Sequence, residues 1–142
     1  RFSQWKQHDF EAKLAYSTDD LKKVLLSPVE SGLDYLHSSM RRFWESEFEG
    51  SEENLAYWTK KISNIPTIGV GSVGLESDFI DMTAPSKPAS IDKAIDDISK
   101  EKYDLLAVGR ALLSDHEWVL KMKEGRLKDV IPYSKEALLK LY

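Results

Sequence analysis

Residues 65–75 read IPTIGVGSVGL and residues 103–113 read YDLLAVGRALL. Each is a short apolar run, β-branched in the first case, that ends in glycine, which is the pattern of a strand buried on both faces whose carboxyl end delivers a loop to a ligand. Two such strand ends side by side would cradle a phosphate. Pro66 opens the first strand and Asp104 the second, and an amphipathic segment follows the second.

Outward from these two strands the chain alternates. The first seventeen residues, RFSQWKQHDFEAKLAYS, show no clean period and read as a strand end running into a loop. Thr18 with Asp19 and Asp20 forms a cap and an acidic first turn for a helix to about Glu30, with Leu21, Val24, Leu25 and Val29 on one face, Pro28 near the end and Gly32 as the stop. Residues 33–37, LDYLH, are a candidate strand, followed by a long polar and aromatic loop through Asn54 whose acidic run, Glu45 to Glu53, reads as a solvated surface. A helix over 54–62 aligns Leu55, Trp58 and Ile62. Beyond Leu75 comes a second long loop, and Ser90 then caps a helix with Ile91, Ile95 and Ile98 on one face. Asp115 starts a helix with Trp118, Val119 and Met122 inward, and a last helix spans 134–142. Strand and helix thus alternate four times, the rhythm of parallel βα units. The expected fold is α/β, one domain over residues 1–142, with about four βα units forming an open sheet or half of an eight-stranded (β/α)8 TIM barrel.

Composition narrows the function. The chain has 142 residues, 42% hydrophobic and 31% charged, with a net charge of -4, an ordinary globular balance. A chain this acidic lacks the basic footprint of a nucleic-acid binder. No cysteine is present, which excludes disulfides, thiolate metal sites and a cysteine nucleophile. The three histidines, His8, His37 and His116, lack metal-ligand spacing, so no metal is expected. No apolar run approaches the roughly 18 residues of a membrane span, and no signal peptide is visible, which makes the cytoplasm the default compartment. The chain opens at Arg1 without an initiator methionine and reads as a piece of something longer.

Gly69, Gly71 and Gly74 match GxGxxG after a strand. A dinucleotide fold requires a helix to begin at once, and LESDFIDMTAPSKP after Gly74 has no helical period. The alternative joins the two strand ends, the amides of Gly71 and Ser72 with those of Gly109 and Arg110 converging on one anion beside the Arg110 guanidinium. That is where barrels place a phosphate. The same residues also admit a plainer reading, in which Gly71 and Gly109 permit tight turns and Arg110 pairs with a carboxylate.

Three stretches, VGRALLSDHEWVLKMKEGRL, GVGSVG, and RFSQWKQ with LHSSMRRFWESEFEG, resemble the C-terminal half of the Old Yellow Enzyme family of FMN-dependent NADH:flavin oxidoreductases and ene reductases. The likeness covers nearly the whole chain and is most specific at GR-x-L-x-x-D-x-x-W, Gly109 to Trp118. It implies a (β/α)8 barrel with FMN at its C-terminal mouth and NAD(P)H as reductant, passing hydride to an activated alkene or other small-molecule acceptor. On the matching positions Gly71, Ser72, Gly109 and Arg110 would hold the FMN phosphate, and Arg1 would lie near the flavin pyrimidine edge. The family's substrate-binding pair lies in the N-terminal half, so no catalytic residue is assigned; His37 and Trp44 remain more readily structural. Exposed sheet edges imply a homo-oligomer or pairing with the missing N-terminal half, with neither nucleic acid nor membrane as partner. Two other readings stand beside this one: a non-catalytic half-barrel that binds an anion or a partner protein, and a different barrel enzyme acting on a phosphorylated metabolite.

Overall fold

The computed structural model describes residues 1–6, 9–77 and 85–139, apart from the side chain of Phe10. The chain separates into two compact units, one formed by Arg1–Gly71 and Lys93–Ala107, the other by Ser72–Asp92 and Val108–Tyr142.

The first unit is an α/β layer built on a four-stranded parallel sheet. Its strands are β1 (Phe2–Ser3), β4 (Leu36–Ser39), β5 (Thr67–Val70) and β6 (Leu105–Leu106), in the order β1-β4-β5-β6. Helices α1 (Thr18–Glu30), α2 (Leu55–Ser63) and α3 (Asp92–Ser99) occupy the three crossovers. The expected alternation is therefore present, with β4 beginning three residues later than the sequence suggests. Register pairs Leu36 with Thr67, Ser38 with Gly69 and Ile68 with Leu105. Alternate positions share a face, and Leu36, Ser38, Thr67 and Gly69 are the buried set. They meet α2 through small groups: the Ser38 hydroxyl donates to Thr59 Oγ1 at 2.9 Å. A Cβ on Gly69 would lie 3.2 Å from Ala56 Cβ. Close helix-to-sheet approach thus explains why Ala56, Thr59 and Ser63 are buried along α2, where the sequence pointed to Trp58 and Ile62, both half-buried.

Capping sets the helix starts. Ser17, one residue before the expected cap, accepts the Asp20 N–H at 3.2 Å, and its hydroxyl donates back to the Asp20 carboxylate at 2.9 Å. Asn54 accepts the Tyr57 N–H at 3.0 Å to start α2 and donates to the Phe43 carbonyl at 2.8 Å. That second bond draws the 40–54 loop inward. Met40, Phe43, Phe48 and Glu47 are all buried there, so the acidic run is not uniformly solvated. In α3 the buried face is Ala94 and Asp97, whereas Ile95 is 56% exposed. Asp97 accepts bonds from Lys93 and Lys102 at 3.2 Å each, and with that ion-pair cluster on the buried face Ile95 is left outside while Ile91 and Ile98 are half-buried.

An antiparallel pair of β2 (Trp5–Lys6) and β3 (Asp9–Lys13) follows β1 in the N-terminal stretch read as a strand end running into a loop. Gln4, with no exposed surface, clasps its base: its amide accepts the Ala15 N–H at 3.0 Å and donates to the Ala15 carbonyl. Lys13 lies 4.1 Å from the Trp5 ring centroid and 3.7 Å from Glu47.

The second unit carries short helices α4 (Arg110–Ser114) and α5 (Trp118–Lys123) with two 3-10 turns, Leu127–Asp129 and Lys135–Leu138. Isolated bridges join Leu75 to Pro88 and Ser86 to Tyr133. Its core comprises Val73, Leu75, Ala111, Trp118, Val130 and Tyr133. Trp118 faces inward as expected, but Val119 is 54% exposed. The buried Asp115 replaces apolar periodicity as the organiser. Its oxygens accept Lys121 Nζ at 2.8 and 3.0 Å, the Glu117 N–H at 3.1 Å and the Ile131 N–H at 2.9 Å. Burial opposes ionisation, yet those bonds, led by Lys121, hold the carboxyl below its ordinary range. The expected terminal helix is a 3-10 turn, and residues 140–142 lie outside the described residues, as do residues 78–84 of the second long loop.

Candidate functional site

The glycines of GVGSVG have separable causes. A Cβ on Gly71 would sit 2.7 Å from the Met40 carbonyl oxygen, whose own residue donates its N–H to Val70 O at 2.7 Å. Gly71 is thus required where β5 ends beside the end of β4. At Gly74, φ is +72° and a Cβ would meet the Trp118 indole at 2.6 Å, so both backbone and packing demand glycine. No helix begins within 75–77, which agrees with setting the dinucleotide fingerprint aside. Gly109 differs: a Cβ there meets nothing within 4 Å, and the residue is exposed.

In the second unit the chain turns at Ser72, whose φ of +48° places a buried non-glycine residue in the left-handed region. Its carbonyl accepts the Leu75 N–H at 3.1 Å. Arg110 meets this turn. Its NH2 nitrogen donates to the Ser77 carbonyl at 3.2 Å and lies 3.5 Å from Ser72 Oγ, while its guanidinium carbon stands 5.5 Å from the Tyr133 ring centroid. Ser77 Oγ is buried and finds no hydrogen-bond partner among the described residues. The structure therefore brings Ser72 and Arg110 together and leaves open space at Gly109. Gly71 and Arg1 belong to the first unit.

Arg1 lies at the start of β1 and donates to Ser39 Oγ at 3.1 Å. Register matches Ser3 with Ser39, so Ser39, His37 and Ser3 share the sheet face opposite the α2-facing set. Burial, then the nearby Arg1 charge, lowers the His37 pKa, which favours the neutral imidazole. Its Nε2 is buried without a hydrogen-bond partner among the described residues. The other positions on that face, Ile68 and Val70, are half-buried, and Leu105 is 59% exposed.

Sequence reasoning missed Ser77, Ser86 and Tyr133. Ser77 and Ser86 stand in a stretch without period, and Tyr133 is distant in sequence from all the glycine loops, so only the fold unites them. Among the described residues no cluster of metal-ligating side chains occurs and no helix is long and apolar enough to cross a membrane.

No family model matches the chain. A relative does. The NADH oxidase of Thermoanaerobacter brockii is 35% identical over 117 residues, an alignment covering 77% of this chain and 16% of the relative. The chain thus spans only a small part of that protein's length.

Proposed function

We propose that this chain is the phosphate-binding part of an NADH-dependent flavin oxidoreductase of the Old Yellow Enzyme type, with FMN as cofactor. The observation that carries the reading is the cluster of Ser72, Ser77 and Arg110 in the second unit; the half-barrel reading would assign it the role of a barrel's phosphate loops. Its atoms suit that group. A guanidinium matches a phosphate's geometry and charge, a phosphate oxygen would supply the partner that the buried Ser77 hydroxyl does not find among the described residues, and Gly109 presents no side chain where a ligand would approach. The likeness to a protein named NADH oxidase supports the same class of chemistry.

In this reading Arg110 neutralises the phosphate and the Ser72 and Gly109 amides complete its shell within the second unit. Bound FMN supplies hydride transfer from NAD(P)H to an acceptor such as an activated alkene. The parallel order β1-β4-β5-β6 supports a half-barrel closed by an N-terminal half or a second copy, because β1 and β6 are the outer strands of the described sheet.

FMN and riboflavin differ only in the phosphate, so fluorescence titration of both separates this site from flavin-ring binding. FMN should bind more tightly than riboflavin, inorganic phosphate should compete, and Arg110→Ala should weaken FMN about tenfold or more, as expected for loss of a charged hydrogen-bond donor. Equal affinity for the two flavins would overturn the proposal.

A further inference from the structure

Arg110 belongs to a closed circuit of contacts within the second unit. It donates to the Ser77 carbonyl at 3.2 Å. The Ser77 N–H donates in turn to Ser86 Oγ at 3.1 Å. Ser86 and Tyr133 exchange both backbone bonds, Ser86 N to Tyr133 O at 2.8 Å and Tyr133 N to Ser86 O at 3.1 Å. The Tyr133 ring then lies against the guanidinium, 5.5 Å from centroid to Cζ. Ser86 and Tyr133 are 3% and 6% exposed while Arg110 and Ser77 are half-buried, so the ring's side of the contact is shielded from water, which strengthens a cation–π contact. Upstream of Tyr133, the Asp115 carboxylate anchors the Ile131 N–H at 2.9 Å, which fixes where the ring arrives.

A long arginine side chain in water samples many rotamers, and holding it before the ligand arrives removes that ordering cost from binding. An aromatic ring against the face of a guanidinium restrains its plane without using its N–H edge. From this circuit we infer that Tyr133 and Ser86 are positioning residues that preorganise Arg110 for a phosphate monoester. The inference rests on the FMN reading of the site and adds residues which touch Arg110 or its Ser77 partner.

The test uses the whole chain and two probes, FMN and inorganic phosphate, with riboflavin as the flavin that lacks the phosphate. Tyr133→Leu should weaken FMN and phosphate about fivefold, while Tyr133→Phe, which keeps the ring, should restore binding to within about twofold. Ser86→Ala keeps the backbone bridge and removes only the Ser77 tie; it should weaken both probes about threefold. Because the contacts form one circuit, the double variant Ser86→Ala/Tyr133→Leu should lose less than the product of the single losses. Riboflavin affinity should not move in any variant, a pattern that general loosening of the fold would not give. Wild-type FMN affinity in Ser86→Ala, or equal losses in Tyr133→Leu and Tyr133→Phe, would overturn the inference while an Arg110→Ala loss left the FMN reading standing. Absence of any FMN preference over riboflavin in the wild type would overturn both.

Discussion

The two units are built on different principles. In the first, period and cap set the structure: parallel strands of alternating burial, helices in every crossover, and Ser17 or Asn54 at a helix start. In the second, among the described residues, order comes from single groups. One buried carboxylate gathers three backbone or side-chain donors, and one glycine admits an indole. A periodic scaffold distributes its stability over many similar contacts, whereas a scaffold of particular contacts concentrates it and concentrates failure with it.

Gly74→Val is the sharpest way to break this contrast. The new side chain would need a left-handed backbone and would overlap the Trp118 ring, a cost of roughly 2–6 kcal/mol from strain and overpacking together. Hydrogen exchange should show amides of the second unit losing protection while those of β4 and β5 keep theirs. Equal loss in both units would mean that they unfold as one, and the contrast would be only geometric.

A smaller effect is expected in the first unit from Ser17→Ala. It removes one cap from α1 and should cost about 1 kcal/mol by denaturant unfolding. A loss several times larger would show that the periodic unit also hangs on single contacts.

The smallest effect is one of pH. Burial, partly offset by Gln4 and Lys13, raises the Glu47 pKa above its ordinary 4.5. The folded state then holds this proton more tightly than the unfolded chain, so the stability it contributes is present at low pH and lost as pH rises through the raised value. The stability of Glu47→Gln relative to wild type should therefore grow as pH rises from about 4.5 toward neutrality. A difference that stays constant across that range would remove the buried carboxylate from the account.

The same contrast explains what the sequence disclosed. The runs at 65–70 and 104–109 are visible as strands because apolar residues in short blocks have few other uses, although the second strand already ends at Leu106, and Thr18 with Asp19 and Asp20 marks a helix start by local chemistry, one residue after the actual cap, Ser17. The β2–β3 pair was illegible: it carries no glycine-bearing turn signal and its base is clasped by Gln4, a residue whose role depends on Ala15. The helical faces were misjudged where a polar contact outranked hydrophobicity, as at Asp97 with Lys93 and Lys102, which leaves Ile95 in water. At the candidate site Ser72 and Arg110 could be picked out by their place after a strand. Ser77, 33 residues from Arg110, and Tyr133 could not, since a backbone carbonyl and a distant ring leave no local mark.

The Gln4 clasp also bears on how this chain tolerates change. Because its amide and backbone carbonyl join the strand to Leu14 and Ala15, the strand pair between them is tied off at its root. What lies beyond that root is isolated from the sheet, so substitutions at the exposed Lys6, Asp9 and Glu11 would burden the parallel strands little, and those three positions are the natural place to carry a label or an altered charge.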